Sequence, residues 1–428
     1  RVKDEAEYNI RRLRNHASLA MWCGNNEIYE GMRYWGWSKK YEPDVWQRMQ
    51  QGYNKIFHNL LPAMVEMYDK GRFYMHSSPY EANWGRPESW KSADSHNWGI
   101  WYGQKPFESL DNEIPRFMSE YGFQSFPEMK TIASFASPKD YALESEVMNA
   151  HQKATIGNAL IKKTMALYYD EPKDFEELVY KGLVLQGFGI RHGIEAHRRN
   201  RPFCMGTLYW QLNDSWPVVS WSGIDYFGNW KALHYQTQRA YAPLLLNAVR
   251  EGDSITVYAI SDKLESYKNA SLELRLKDFN GKTLKKMSVK NDVPSNSSVR
   301  FHILNYKEMA VSPANTFLQM TLKSASGELL SKEIYYFCYP KEQALPATDI
   351  RYKIKQEDGR CEISLKAGQL ARDVFIEIPF QGARFSDNFF DLLPGESKKV
   401  TITSPQIKQD GQLTLKIRHL KNIIHINK

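Results

Sequence analysis

The chain has 428 residues, 42% of them hydrophobic and 25% charged, which suits a protein of roughly two to four domains with sizeable cores. No apolar run reaches the roughly 18 residues a membrane helix needs, so no membrane span is expected. The net charge of +8 comes with no arginine-rich helix or base-stacking motif, so no nucleic-acid partner is expected either.

Up to about residue 242 the pattern alternates strand and helix. Residues 5–15 read as helix and 18–23 as a buried strand. Residues 44–70 have helical spacing (Val45, Met49, Ile56, Leu60, Met64, Met67) after the start signal Pro43-Asp44. Residues 72–78 form the next strand. A Trp-, Gly-, Pro- and Ser-rich stretch, 79–97, suits a binding loop better than a linker. Strands come next at 98–102, 116–121 and 204–212, with helices over 142–169 and 174–199. Five strands separated by helices imply parallel pairing with crossover helices, as in a (β/α) barrel or doubly wound sheet. Five would not close an eight-stranded barrel, so the chain is expected to begin inside that domain. Arg1 is no natural start and no signal-peptide pattern is present, which reads as a mature or truncated product.

After Pro243 the texture changes. All 12 Trp lie before residue 231. Residues 1–240 hold 29 Lys and Arg against 28 Asp and Glu, whereas 241–428 hold 28 against 21. Short alternating strands appear at 254–260, 271–276, 299–303, 316–322 and 334–339. After a linker at 341–346 a second set occupies 352–354, 361–365, 374–378, 399–402 and 413–417. Each set has the length of a small β-sandwich. The expected division is therefore 1–242, 243–341 and 346–428. The fold class is α/β followed by all-β, with two immunoglobulin-like sandwiches.

Chemistry concentrates in the first region. Glu27 closes Trp22-Cys-Gly-Asn-Asn-Glu27, and Glu120 lies in Arg116-Phe-Met-Ser-Glu120-Tyr-Gly. A carboxylate at the carboxyl tip of a buried strand is where a parallel barrel holds catalytic groups. Two facing one pocket suit glycoside hydrolysis, one as proton donor and one as nucleophile or stabiliser. The competing readings are a helix cap for Glu27 and a structural ion pair for Glu120. Asn26 could donate its amide to a substrate hydroxyl. Trp35, Trp84, Trp98 and Trp210, all in predicted loops or strand ends, suit the walls of a sugar-binding cleft, although a core role is open for each. The four cysteines (Cys23, Cys204, Cys338, Cys361) and 11 histidines show no metal-ligand spacing. Cys23 and Cys204 read as buried packing thiols. Gly187-Phe-Gly-Ile-Arg-His-Gly193 imitates a dinucleotide loop, but its third glycine is displaced and it falls mid-helix. No G-x-S-x-G elbow occurs.

Segments 22–27, 117–125, 207–217 and 385–395 together resemble the glycoside hydrolases of family 2, most closely its β-mannosidases, over nearly the whole chain. The resemblance implies the second part of a (β/α)8 TIM barrel, strands four to eight, followed by the two sandwiches. It implies Glu27 as acid/base, Glu120 as nucleophile and Tyr102 as hydrogen-bond donor to that nucleophile. Residues 98–102 would be strand six and 204–212 strand eight. Asn26, Trp35, Trp84, Trp98, Trp210 and Asn213 would bind substrate. The stretch Trp210-Gln-Leu-Asn213-Asp214 is similar to mannosidases and exo-glucosaminidases and unlike the β-galactosidase counterpart. The implied activity is retaining, exo-acting hydrolysis of terminal β-mannosyl residues, with no metal or cofactor. Other family 2 exo-β-glycosidases and a non-catalytic carbohydrate-binding protein are the alternatives. The implied partners are a β-mannoside oligosaccharide or glycoconjugate and the missing N-terminal domains of the same protein; oligomerisation is left open. Such enzymes are usually periplasmic in bacteria and lysosomal in animals.

Overall fold

A computed structural model describes residues 1–80, 83–309 and 311–427. In the first region the strands are little more than tips. β1 (Trp22–Cys23) pairs in parallel with β2 (Tyr74–Met75), and β3 (Ser95–His96) in parallel with β4 (Met118–Glu120). Single parallel bridges extend both pairs, Asn26 to Ser78 and Met118 to Thr207. Parallel neighbours need long crossovers. Those between β1 and β2 are Ile28–Tyr34, the short Trp37–Lys40 and the run Pro43–Tyr53, Asn54–Leu60 and Leu61–Tyr68.

Two expected strands differ. Residues 98–102 are a turn, because Trp101 and Gly103 both donate backbone N–H bonds to the Trp98 carbonyl; the strand lies just before them, at β3. Within 204–212 only Thr207 bridges to a neighbour, after which the Trp210 N–H reaches the Tyr121 carbonyl at 2.7 Å. Cys204 is buried as expected. Cys23 is exposed, since its strand is only two residues long and pairs on one side.

The helix Phe175–Arg199 backs this region. Asp174 caps it by accepting from the Glu177 N–H at 2.8 Å, acidic side chains fill its first turn, and His197, Arg198 and Arg199 end it, in keeping with the helix dipole. Its buried face carries Leu183, Ile190 and Ile194 in the core that holds Trp101, Phe107, Tyr121 and Phe123. Among the described residues no helix is long and apolar enough to cross a membrane.

The middle sandwich stacks a sheet of β5 (Leu244–Glu251), β6 (Ser254–Ser261) and β9 (Ser297–Asn305) on one of β7 (Tyr267–Asp278), β8 (Thr283–Val293), β10 (Thr316–Lys323) and β11 (Leu329–Tyr336). It has a core of its own, around Leu272, Leu274, Met320 and Val257. The last sandwich has sheets β12 (Ile350–Glu357), β13 (Arg360–Ala367), β17 (Ser397–Thr403) and β15 (Arg384–Phe385), against β16 (Phe390–Leu392), β14 (Ala371–Glu377), β18 (Thr414–His419) and β19 (Asn422–Asn427). Its core is continuous with that of the first region. Phe389 stacks on Phe375 at 4.2 Å and meets Tyr235 at 6.0 Å, while Arg239 donates to the Phe389 carbonyl at 3.0 Å.

Candidate active site

The strand tips end side by side, and residues at or just beyond each tip supply the site. Glu27 comes after β1, with its N–H on the Ser78 carbonyl at 2.8 Å. Its backbone is in the left-handed region, at φ +60°, a conformation that a non-glycine residue holds at a cost and that is enriched at functional positions. Glu27 starts the helix Ile28–Tyr34 without capping it. Asn25 does that instead, accepting from the Ile28 N–H at 3.1 Å, so the Glu27 carboxylate is free for other partners.

Those partners are His96 and Asn83. His96 Nδ1 lies 2.7 Å from Glu27 Oε1, and Asn83 Nδ2 donates to the same oxygen at 3.2 Å. Glu120, on β4, places Oε2 at 3.7 Å from the same His96 nitrogen. One ligand atom from each of Glu27, His96 and Glu120 lies within 4.8 Å of the others, so the two carboxylates share one small space. Their side chains are 16% and 12% exposed, open to a substrate but largely withdrawn from water. Neither competing reading from sequence applies, since the described partners of Glu120 are this histidine and an indole rather than an arginine.

Trp98 Nε1 donates to Glu120 Oε1 at 3.1 Å. That is the position expected for Tyr102, whose hydroxyl makes no hydrogen bond to Glu120 among the described residues. The turn at 98–102 brings the buried indole to the carboxylate and leaves Tyr102 half-exposed against it, ring centroids 5.8 Å apart. Burial, followed by the charges of Glu27 and Glu120, raises the Tyr102 pKa, so its hydroxyl lies in the field of the pair. Burial also raises the Glu120 carboxyl above the usual range and the Glu27 charge adds to it, while His96 and the Trp98 indole oppose the rise.

Asn26 is exposed beside Glu27, and its amide makes no hydrogen bond among the described residues. Trp84 adjoins the cluster, its N–H on the His96 carbonyl at 2.9 Å. The loop carrying it is pinned by Arg86, which pairs with Glu30 and covers the Tyr34 ring at 3.8 Å; Glu81 and Ala82 of the expected binding loop lie outside the described residues. Trp210 is exposed past the end of β4. A Cβ on Gly122 would meet the Trp210 carbonyl oxygen, so only glycine permits that approach. Trp35 is exposed and meets Trp37 edge-on at 5.8 Å, and Asn213 is exposed on the loop after Trp210; neither has a described bond to the carboxylates.

Sequence reasoning misses His96, Asn83, Asp94 and Ser78. Asp94 and His96 are buried at the tip of β3, and Asp94 Oδ2 accepts from Ser78 at 2.6 Å and from Ser119 at 2.6 Å. The polar run Ser95-His96-Asn97 beside a Trp is the available signal.

Residues 253–342 match the family profile described as a mannosidase Ig/CBM-like domain, and 345–423 one described as an Ig-fold domain. Beta-mannosidase B of Aspergillus clavatus is 27% identical over 445 residues, covering 98% of this chain and 52% of the relative. The goat (Capra hircus) beta-mannosidase is 28% identical over 418 residues, covering 91% and 47%. The solved beta-D-mannosidase of Dictyoglomus thermophilum superposes with a TM-score of 0.83 at 30% identity, covering 97% of this chain and 50% of that one. An exo-chitosanase of Amycolatopsis orientalis shares the fold, with a TM-score of 0.70 at 15% identity and 100% and 54% coverage. Over nearly its whole length the chain is similar to the C-terminal part of β-mannosidases. It spans about half the length of the curated relatives it matches.

Proposed function

We propose that the full-length protein carrying this sequence is a retaining, exo-acting β-mannosidase. Residues 1–242 supply strands four to eight of a (β/α)8 barrel, 243–341 and 346–428 are the two sandwiches, and preceding domains complete the pocket. The observation that carries this reading is the gap of no more than 4.8 Å between carboxylate oxygens of Glu27 and Glu120. Retaining glycosidases hold their carboxyl groups about 5–5.5 Å apart, and inverting ones roughly 6.5–9.5 Å apart to admit water.

Glu120 attacks the anomeric carbon as Glu27 protonates the leaving oxygen; water, deprotonated by Glu27, then displaces Glu120 and releases mannose with its configuration kept. The Trp98 N–H holds Glu120 Oε1, which leaves Oε2 to attack. Asn26 takes the 2-hydroxyl, and Trp84, Trp210 and Trp35 offer apolar walls to the sugar. The residues of the site require no metal or cofactor for these steps. The test is a panel of aryl β-glycosides with the full-length protein. Turnover of the β-mannoside above the β-glucoside, β-galactoside and β-glucosaminide supports the reading. Preference for any of the others, or binding without turnover, overturns it.

A further inference from the structure

His96 is almost wholly buried, and all described polar partners of its ring are oxygens. On one side Nδ1 faces Glu27 Oε1 at 2.7 Å and Glu120 Oε2 at 3.7 Å. On the other, Nε2 lies 3.0 Å from Ser78 Oγ. The Ser78 hydroxyl has a single proton, and it goes to Asp94 Oδ2 at 2.6 Å. Asp94 in turn is well supplied with donors, taking Ser119 at 2.6 Å on Oδ2 and the Tyr80 N–H at 2.9 Å on Oδ1. Ser78 Oγ therefore accepts from His96, and Nε2 carries a proton.

The second nitrogen is settled by its neighbours. A bare Nδ1 would set its lone pair against a carboxylate oxygen at 2.7 Å, with a second carboxylate 3.7 Å away, so a proton must occupy that gap. Glu27 Oε1 also accepts from Asn83, which makes it the acceptor oxygen of the group. Among the described residues, the charged and titratable side chains facing the imidazole are Glu27, Asp94 and Glu120, with Tyr102 beyond the two glutamates. Arg86, the cation on the loop that carries Trp84, is paired with Glu30.

We propose that His96 is an imidazolium clamp, a positioning residue that binds Ser78 through Nε2–H and Glu27 through Nδ1–H, confines the exchangeable proton of Glu27 to Oε2, and holds Glu120 ionised. The role deepens the acid/base and nucleophile assignments above and rests on them. As the bond to the leaving oxygen breaks, the Oε2 proton passes to that oxygen and Glu120 bonds to the anomeric carbon. The Glu27 carboxylate so formed is stabilised by Nδ1–H. Water then attacks the same carbon, its proton returns to Glu27 Oε2, and the bond to Glu120 breaks. His96 keeps both protons throughout.

The test is ¹⁵N NMR of the full-length protein at pH 7, with the His96 signal assigned by its loss in His96→Asn. Both ring nitrogens should show the protonated, imidazolium shift; a neutral tautomer overturns the proposal whether or not the protein cleaves mannosides. A second measurement uses Asp94→Asn and Ser78→Ala, which weaken the acceptor chain on Nε2. With that support weakened, the alkaline limb of kcat/KM should move toward acid by about one pH unit or more. A uniform loss of rate with an unmoved limb also overturns it. Failure of the β-mannoside panel with an imidazolium signal present would instead strike the functional reading alone.

Discussion

The carboxylate site and the seam between the first region and the last sandwich both join residues far apart in sequence, by opposite means. The site is held by single polar bonds: one nitrogen of His96, one amide of Asn83 and one indole N–H fix two carboxylates. The seam is held by area: Phe389 is fully buried between Phe375 and Tyr235, and Arg239 adds bonds to backbone around it. Apolar contact is tolerant of direction and costly to remove, whereas the site depends on angle and charge and contributes little to stability. Changes in the two places should therefore separate activity from folding.

The largest effect is expected from Glu120→Ala, which removes the proposed nucleophile and should lower kcat/KM by more than about 10⁴. Azide should restore turnover as the α-mannosyl azide; unaided activity near the parent level would remove Glu120 from that role. Glu27→Ala should cost about 10²–10⁴ with poor leaving groups and far less with activated aryl mannosides. An equal loss on both kinds of substrate would contradict its acid role. On the seam, Phe389→Ala should lower stability by about 3–5 kcal/mol in denaturant titrations while the remaining folded protein keeps its kcat. A loss below roughly 1 kcal/mol would show the seam to be less important than its packing suggests. Back in the site, Trp98→Phe removes a hydrogen bond to a charged group, about 1.5–3 kcal/mol, and should slow kcat roughly 10- to 100-fold with an unchanged melting temperature.

The smallest effect concerns pH. Burial first, aided by Asp391 and opposed by Arg372, lifts the Asp373 carboxyl at the seam to about 7. A carboxyl with a raised folded pKa binds more protons folded than unfolded, so its stabilisation is full below the unfolded value near 4 and is lost as pH rises through about 7. Unfolding free energy should fall by on the order of 1 kcal/mol between about pH 5 and 7. Asp373→Asn should flatten that slope; an unchanged slope would assign it to other groups.

The same contrast explains which features are legible in the sequence. Glu27 and Glu120 can be read because each closes an apolar run, and strand tips of that kind carry a local signature. The strands of the sandwiches can be read where one face is buried, as in Thr316–Lys323. Thr283–Val293 escapes notice because nearly all of it is exposed, so no alternation marks it, and its lysines read only as a charge cluster. His96 is illegible for a different reason. Its partners Glu27 and Ser78 lie 69 and 18 positions away and Glu120 is on another strand, so nothing local distinguishes it from any other histidine. The turn at 98–102 reads as a strand because its aromatic residues favour one, and its backbone bonds override that preference.

The convergence of Glu27 and Glu120 on one glycosidic bond is tested most directly by trapping the intermediate. The full-length protein is incubated with a 2-deoxy-2-fluoro-β-mannosyl donor bearing a good leaving group, then digested and mapped by mass spectrometry. A single fluoromannosyl adduct on the peptide carrying Glu120, slow to turn over, is the predicted result. An adduct on any other residue, or hydrolysis with inversion and no adduct, would contradict the account.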